Sequence, residues 1–137
     1  MDVFTKEIEF STNKKREIVD LTNEIVDLFN ESGIQNGIMV AQLPHATSML
    51  VLNESESGVK QDLLDKLDDL VPPQGGYRHD RIDNNAHSHI KAALVGSSKV
   101  LPIANGKLQR GTWQNFLVIE QDGPRSRRTM VITIMGE

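Results

Sequence analysis

Residues 99–121 read KVLPIANGKLQRGTWQNFLVIEQ and carry the clearest strand signal in the chain. The dipeptide Asn105-Gly106 separates two stretches rich in apolar residues, and Asn-Gly suits the tight turn whose twist matches paired strands. Within residues 113–120, WQNFLVIE, successive side chains alternate between two faces. The turn DGPR at 122–125 then leads to RRTMVITIMGE at 127–137. We therefore predict a hairpin over residues 99–121, a final strand after it, and Trp113 packed in the core.

Upstream of this hairpin, the pattern predicts strands mixed with helices. β-forming or continuous apolar stretches predict strands over residues 3–10, 16–21, 37–43 and 46–53. Helical spacing predicts a first helix that Asp20 or Thr22 caps and Gly33 ends, a second helix over 59–71 and a third over 85–95. The order predicts a single α+β domain, residues 1–137, with a mostly antiparallel sheet core and about three helices.

The composition restricts the classes of function. A length of 137 residues and a charged fraction of 25% suit one globular domain. The net charge of −4 provides no overall basic field for nucleic acid or an anionic membrane. No apolar run reaches the roughly 20 residues that span a bilayer, and we expect no signal peptide. The absence of cysteine excludes disulfides and thiolate metal sites. We expect a cytoplasmic protein with neither nucleic-acid nor membrane partners.

The four histidines are the strongest functional signal, because three of them fall within residues 79–89. Neutral imidazole is the commonest protein ligand for a divalent metal, and it also transfers protons near neutral pH. Three histidines from three elements, with water in the fourth position, would be the arrangement of a catalytic zinc. The ordinary alternative is a set of surface histidines with unrelated hydrogen bonds. The cluster as a whole favours a site.

Two of these histidines belong to the third predicted helix. His87 and His89 are about 200° apart around a helix, so they cannot both face one centre. We expect the apolar stripe of that helix to run through Ala86, Ile90, Ala93 and Leu94, with the two histidines on opposite flanks. Periodicity therefore leaves open which of them meets His79 and Asp80 from the preceding loop.

Other candidate residues lie at predicted strand ends. His45 follows Pro44 between two predicted strands, and Glu54 closes the second of them. Arg125, Arg127 and Arg128 form a local basic patch, and a guanidinium fork can grip phosphate. Arg127 and Arg128 should point to opposite faces of a strand that begins there. An alternative of equal weight is that these arginines are solvent-exposed charges that bind no phosphate.

The motifs together resemble the YjbQ-like secondary thiamine-phosphate synthase family. The matching stretches, in order, are PHATSMLVLNE (44–54), YRHD (77–80), SHIKAAL (88–94), LPIANGKLQRGTWQ (101–114), EQDGPRSRR (120–128) and MGE (135–137). Ala46 departs from the family's pattern, which usually has a hydroxyl residue after the histidine. The resemblance implies a β-sandwich-like α+β subunit that forms a homotrimer, with sites near subunit contacts.

The resemblance also implies which residues act. It places His45, His79 and His89 at the family's histidine positions, together with Glu54, Asp80, Gln114 and an arginine from Arg127 or Arg128. His87 falls outside the motif, so its replacement should have only a small surface effect. The family name implies joining of a pyrimidine pyrophosphate to a thiazole phosphate with release of pyrophosphate. No aspartate-rich motif for magnesium diphosphate is present in this chain.

Three hypotheses follow from these observations. The leading one is a small trimeric enzyme acting on a phosphorylated small molecule, with weak thiamine-phosphate synthase activity implied by the resemblance. In it His45, His79 and His89 hold a divalent metal, with zinc as the expected ion. Arg127 or Arg128 holds phosphate, and Asp80, Glu54 and Gln114 assist the chemistry. The second is metal-assisted hydrolysis of a phosphate ester, in which Asp80 or Glu54 moves protons. The third is a non-catalytic trimer that binds a metal or ligand.

Overall fold

The computed structural model describes residues 1–137 and confirms the α+β class with three α-helices. The strands are β1 (Asp2–Thr12), β2 (Glu17–Asp20), β3 (Gly37–Gln42), β4 (Ser48–Asn53), β5 (Ser98–Ala104), β6 (Lys107–Leu108), β7 (Asn115–Glu120) and β8 (Arg125–Gly136). The helices are α1 (Thr22–Ser32), α2 (Ser57–Leu70) and α3 (Ala86–Val95), and a short 3₁₀ helix spans Arg78–Arg81. None of the helices combines the length and the apolar character that a membrane-spanning helix requires.

Two antiparallel sheets form the body of the protein. The larger has the strand order β1-β8-β3-β5-β6, and the smaller has the order β2-β7-β4. The main hydrophobic core is built where apolar side chains from both sheets pack together with α1. It includes Met39, Leu101 and Ile132 of the larger sheet, Leu50, Phe116 and Val118 of the smaller sheet, and Ile25 of α1. This layered arrangement is the sandwich-like core that the resemblance implied.

The smaller sheet is also covered on its other face, by α2 and α3. Met49 and Ile119 of that sheet pack against Leu64 of α2 and Ala92 of α3 in a second apolar cluster. Because both faces are covered, β7 is buried along nearly its whole length. This packing holds α3, which carries two of the four histidines, against the sheet.

The hairpin at Asn105 and Gly106 is confirmed, but its second strand is shorter than predicted. Both turn residues have positive φ, and Ile103 pairs with Leu108 across the turn. The strand ends at Leu108, and β7 begins at Asn115 in the other sheet. Residues 109–114 lead from the larger sheet to the smaller one. Alternation of side chains between two faces therefore does not indicate there which side chains are buried. The prediction that Trp113 packs in the core is therefore wrong, since 68% of it is exposed.

The buried face of α3 also differs from the prediction. Ile90 and Leu94 of the expected apolar stripe are exposed, Leu94 by 73%. The helix instead buries the polar side chains His87, Ser88 and Lys91. Each of them finds hydrogen-bond partners in the interior, which offsets the loss of water. The expectation that His87 is a surface residue is accordingly wrong.

Candidate functional site

His79 and His89 meet at the amino-terminal end of α3. His79 belongs to the 3₁₀ helix that precedes α3, and His89 lies on the first turns of α3 itself. Their ring centroids are 4.8 Å apart, with the ring planes inclined at 72°. Both rings border a cavity of ≈ 610 Å³, together with Tyr77 and Ile90. The polar loop after α2 thus brings one histidine against the helix that carries another.

His45 lies on the other side of His89. A second cavity, of ≈ 250 Å³, is lined by His45 and His89 together with Ala92 and Ser97. His89 borders both cavities, so the three histidines follow one another with His89 in the middle. We call this row the histidine cleft. It contains His89, whereas His87 is buried beside Lys91. That His89 rather than His87 acts in a site stays a prediction.

The ring of His45 is held by the backbone of β8. The N–H of Thr129 donates to His45 Nε2 at 2.9 Å, and His45 Nδ1 has no hydrogen-bond partner within the chain. Burial lowers the pKa of His45, and the nearby positive charge of Arg128 lowers it further. His45 is therefore a neutral imidazole at neutral pH, with its orientation set by a main-chain group.

Asn85 connects His79 to a carboxylate. Asn85 is buried immediately before α3, and its Nδ2 donates to Asp122 Oδ2 at 2.8 Å. Its Oδ1 lies 2.9 Å from His79 Nε2. Burial of Asp122 opposes its charged form, but hydrogen bonds from Lys15 and Asn85 outweigh this effect, so the pKa of Asp122 lies below its ordinary value. The carboxylate is thus ionised and orients the amide that contacts His79.

A buried ion pair lies beside the strand segment that holds His45. Glu120 is fully buried, and Arg128 Nε donates to its Oε1 at 3.0 Å while Arg128 Nη2 donates to its Oε2. Arg128 Nη2 also donates to Thr47 Oγ1 at 3.0 Å, and the Thr12 hydroxyl donates to Glu120 at 2.8 Å. Burial raises the pKa of Glu120, but these hydrogen bonds outweigh it and hold the pKa below its ordinary value. The pair fixes the start of β8 next to Thr129.

The two arginines predicted to bind phosphate point to opposite faces of β8, as expected. Arg127 is exposed and its Nη2 lies 2.6 Å from Glu9 Oε1, whereas Arg128 is buried against Glu120. The neighbouring Arg125 pairs with Asp122 at 2.7 Å. Each guanidinium therefore already has a carboxylate partner, and a phosphate-binding role for Arg127 or Arg128 stays a prediction.

The remaining predicted residues divide between the two ends of the smaller sheet. Asp80 lies at the cleft end, where its Oδ1 accepts from the N–H of Ala86 at 3.4 Å. Glu54 and Gln114 lie at the opposite end, beyond the paired residues Asn53 and Asn115. A strand of six residues spans about 20 Å, so within one chain these two side chains lie far from the histidine cleft. The Gln114 side chain accepts instead from Gly111 N–H at 2.8 Å.

Sequence patterns did not single out the residues that support the cleft. Asn85, Asp122, Glu120 and the main chain of Thr129 come from three separate segments, and only folding brings them beside the histidines. No local spacing relates them. The one available signal is the motif EQDGPRSRR (120–128), which contains Glu120 and Asp122 but indicates no contact with a histidine.

The donor atoms of the cleft do not match a three-histidine metal site. No group of three or more His, Cys, Asp or Glu side chains is close enough to hold one ion. His89 has both ring nitrogens free of partners within the chain, but His45 Nε2 already accepts from Thr129. A zinc site formed by His45, His79 and His89 together therefore stays a prediction, to which His45 is poorly suited in this arrangement.

Comparisons with known proteins agree with the fold and with the family resemblance. A family model described as "UPF0047 protein YjbQ-like" matches residues 6–137. A UPF0047 protein of Archaeoglobus fulgidus is 46% identical over 125 residues, covering 91% of this chain and 97% of that protein. The crystal structure of a YbjQ-like protein of unknown function from Sulfolobus solfataricus superposes with a TM-score of 0.97 at 40% identity, covering 99% of both chains. A hypothetical protein from Aeropyrum pernix superposes with a TM-score of 0.94 at 33% identity.

Proposed function

Because the chain belongs to the YjbQ-like UPF0047 family, we propose that it is a small enzyme acting on a phosphorylated small molecule in the histidine cleft. The observation that carries this proposal is the position of His89, which borders both cavities and contacts the His79 ring. Imidazoles in an open cleft can both bind anionic oxygens and transfer protons near neutral pH. A supporting network of buried carboxylates and an amide is typical of side chains held for chemistry.

A homotrimer would complete this site. In one chain, Glu54 and Gln114 lie at the end of the smaller sheet remote from the histidines. We propose that assembly brings these two side chains of one copy to the histidine cleft of another. The exposed side chains Trp113 and Leu94 are compatible with contacts between copies. Sedimentation equilibrium would measure the oligomeric state, and a monomer at micromolar concentration would contradict the proposal.

The reaction we propose for testing is the one that the resemblance implied. It joins a pyrimidine pyrophosphate to a thiazole phosphate and releases pyrophosphate. The purified 137-residue chain is incubated with both precursors, and thiamine phosphate and pyrophosphate are measured by mass spectrometry. The proposal is supported if the natural chain forms both products and the His89→Ala variant does not. Lys66→Ala, on the exposed face of α2, is the control and should still form both. Hydrolysed precursors without thiamine phosphate would favour the hydrolase, and unchanged precursors would favour a non-catalytic binder.

A bound metal is a second candidate feature of this site. The contact between the His79 and His89 rings favours it, because two adjacent imidazoles with free nitrogens can share one ion. Zinc would polarise a phosphoryl oxygen or activate a water molecule. Elemental analysis of untagged protein purified without added metal tests this feature. Less than about a tenth of an equivalent per chain, unchanged after zinc soaking and removal of excess metal, would exclude it.

A further inference from the structure

The hydrogen-bond partners of His45 and His79 differ in a way that sets the position of the proton on each ring. A neutral imidazole has one nitrogen that donates and one that accepts, and the partner of one nitrogen determines the role of the other. His45 contacts a group that can only donate, and His79 contacts an atom that can only accept. The two rings therefore present opposite functions to the cleft.

For His45, the partner is a backbone amide. The Thr129 N–H donates to Nε2 at 2.9 Å, so the lone pair of Nε2 is occupied and the ring proton resides on Nδ1. Nδ1 has no acceptor within the chain, and His45 lines the smaller cavity of the cleft. Neutral His45 thus offers an N–H to the cleft. It offers no free lone pair to a metal unless the bond to Thr129 is broken.

For His79, the partner is the amide oxygen of Asn85. The ionised Asp122 carboxylate only accepts hydrogen bonds, so it takes the NH₂ group of Asn85 and leaves Oδ1 facing His79 Nε2 at 2.9 Å. An amide oxygen also only accepts, so the His79 proton resides on Nε2. Its Nδ1 keeps a free lone pair beside the larger cavity.

We infer that, when no metal occupies His79 Nδ1, the cleft combines a fixed donor, His45 Nδ1–H, for an anionic oxygen of the substrate, with a fixed proton acceptor, His79 Nδ1. The inference rests on the proposed function, since it assigns roles within the same cleft. A substrate group or water, X–H, would transfer its proton to His79 Nδ1, and the bonding electron pair would stay on X. The resulting imidazolium would donate from Nε2 to Asn85, whose amide is bonded to the negative charge of Asp122. Asn85 and Asp122 are positioning residues, as is the third group of a catalytic triad.

Nitrogen-15 NMR of the uniformly labelled 137-residue chain tests the assignment without any substrate. The long-range couplings of each ring distinguish the Nδ1–H form from the Nε2–H form at about pH 8, above the ordinary histidine pKa. We expect the Nδ1–H form for His45 and the Nε2–H form for His79, each exceeding the other form by about fivefold or more. The reverse form in either ring would overturn the inference, whether or not the protein is an enzyme.

Replacing the amide separates positioning from general stability. In Asn85→Ala the excess of the Nε2–H form of His79 over its Nδ1–H form should fall by at least about threefold, because no amide oxygen accepts from Nε2, while His45 keeps its Nδ1–H form. Asn84→Ala, at the exposed neighbouring amide, should change neither ring. An unchanged His79 tautomer in a folded Asn85→Ala variant would overturn the positioning role. If that variant does not fold, the spectrum of the natural chain still decides the assignment.

The donor role of His45 is tested with inorganic phosphate. Phosphate oxygens should accept from His45 Nδ1–H, so the ring signals of His45 should move during a phosphate titration. In the matched variant His45→Phe, the change in the remaining cleft signals should require at least tenfold more phosphate. No movement of the His45 signals would overturn the donor role, although the tautomer assignment would stand. Loss of thiamine-phosphate synthesis in a separate assay would concern only the proposed reaction.

Discussion

Lys91 and His87 lie one turn apart on α3 and share a hydrogen bond in the protein interior, from Nζ to Nδ1 at 2.8 Å. Lys91 is fully buried, and its ammonium also donates to Asp68 at 2.5 Å and to Gln121 at 3.0 Å. Burial lowers the pKa of His87, and the charge of Lys91 lowers it further, so the ring remains a neutral acceptor. This one ammonium joins α2, α3 and the segment after β7.

The first prediction concerns the buried ammonium. Lys91→Met keeps the length of the side chain but leaves three acceptors without their donor. We expect it to lower the free energy of unfolding by about 3 kcal/mol, since removal of one partner from a buried charged network is strongly destabilising. Urea denaturation measures the change.

Lys66→Met on α2 is the matched control for this prediction. Its ammonium lies 3.5 Å from Asp69, and both side chains are about three-quarters exposed, at 74% and 70%. We expect a change within about 0.5 kcal/mol. Equal stabilities of the two variants would show that the Lys91 network contributes nothing to folding.

The second prediction is acid sensitivity from Glu120. Its pKa in the folded protein lies below the ordinary value of 4.5, so its contribution to stability is complete above about pH 4.5 and is lost as the pH falls through the folded value. Glu120→Gln takes up no proton, and its free energy of unfolding should fall less steeply with pH below 4.5. Denaturation curves measured from neutral pH to pH 3 give both slopes.

Glu9→Gln serves as the control for the acid experiment. Glu9 pairs with Arg127 on the surface, where 56% of the Glu9 side chain is exposed. Solvent-exposed pairs contribute little to stability, so the slope should match that of the natural chain. If Glu9→Gln and Glu120→Gln give the same slope, the buried pair is not the source of the acid sensitivity.

The third prediction compares two aromatic residues of one segment. Phe116 is fully buried in the main core, whereas 68% of Trp113 is exposed. Phe116→Ala should lower the free energy of unfolding by about 3–5 kcal/mol because it leaves a cavity. Trp113→Ala should change it by less than about 0.5 kcal/mol in the isolated chain. A loss of similar size in both variants would indicate that Trp113 is covered in solution, as it would be at a contact between copies.

The fourth prediction separates the two histidines of α3. His89→Ala should reduce zinc occupancy and any activity by about tenfold or more, as loss of a metal ligand generally does. His87→Ala should leave zinc occupancy unchanged but destabilise the chain, because it removes a buried partner of Lys91. Elemental analysis and thermal unfolding of each variant provide the two measurements. The opposite pattern would mean that His87 faces the site.

Much of the fold could be predicted because its signals are local. The turn between β5 and β6 requires two residues with positive φ. Asn105 and Gly106, which occupy these positions, are of the residue types that tolerate positive φ. Gly33 ends α1 in the left-handed conformation for the same reason. Helical geometry alone also predicts that His87 and His89 lie on opposite sides of α3. These features depend on residues within one turn or one strand of each other.

The candidate site was predicted only in part. The motifs name the histidines His45, His79 and His89, and folding places them around two cavities that share His89. Glu54 and Gln114 were expected beside them, but the length of β4 separates the two groups within one chain. The order of motifs along the chain indicates which residues belong to a family's pattern. It does not indicate how far apart those residues lie in the folded protein.

The amino-acid sequence by itself determined the strands, the helices, the turns and the family, because periodicity and turn chemistry act between neighbouring residues. Only the tertiary structure decided which face of α3 is buried, since Asp68 and Gln121 reach Lys91 from distant segments. It likewise decided the roles of the cleft histidines, since the hydrogen-bond partners of His45 and His79 come from β8 and from the start of α3. The proton on an imidazole is placed by whatever group lies opposite its nitrogens, and that group is known only when the chain is folded.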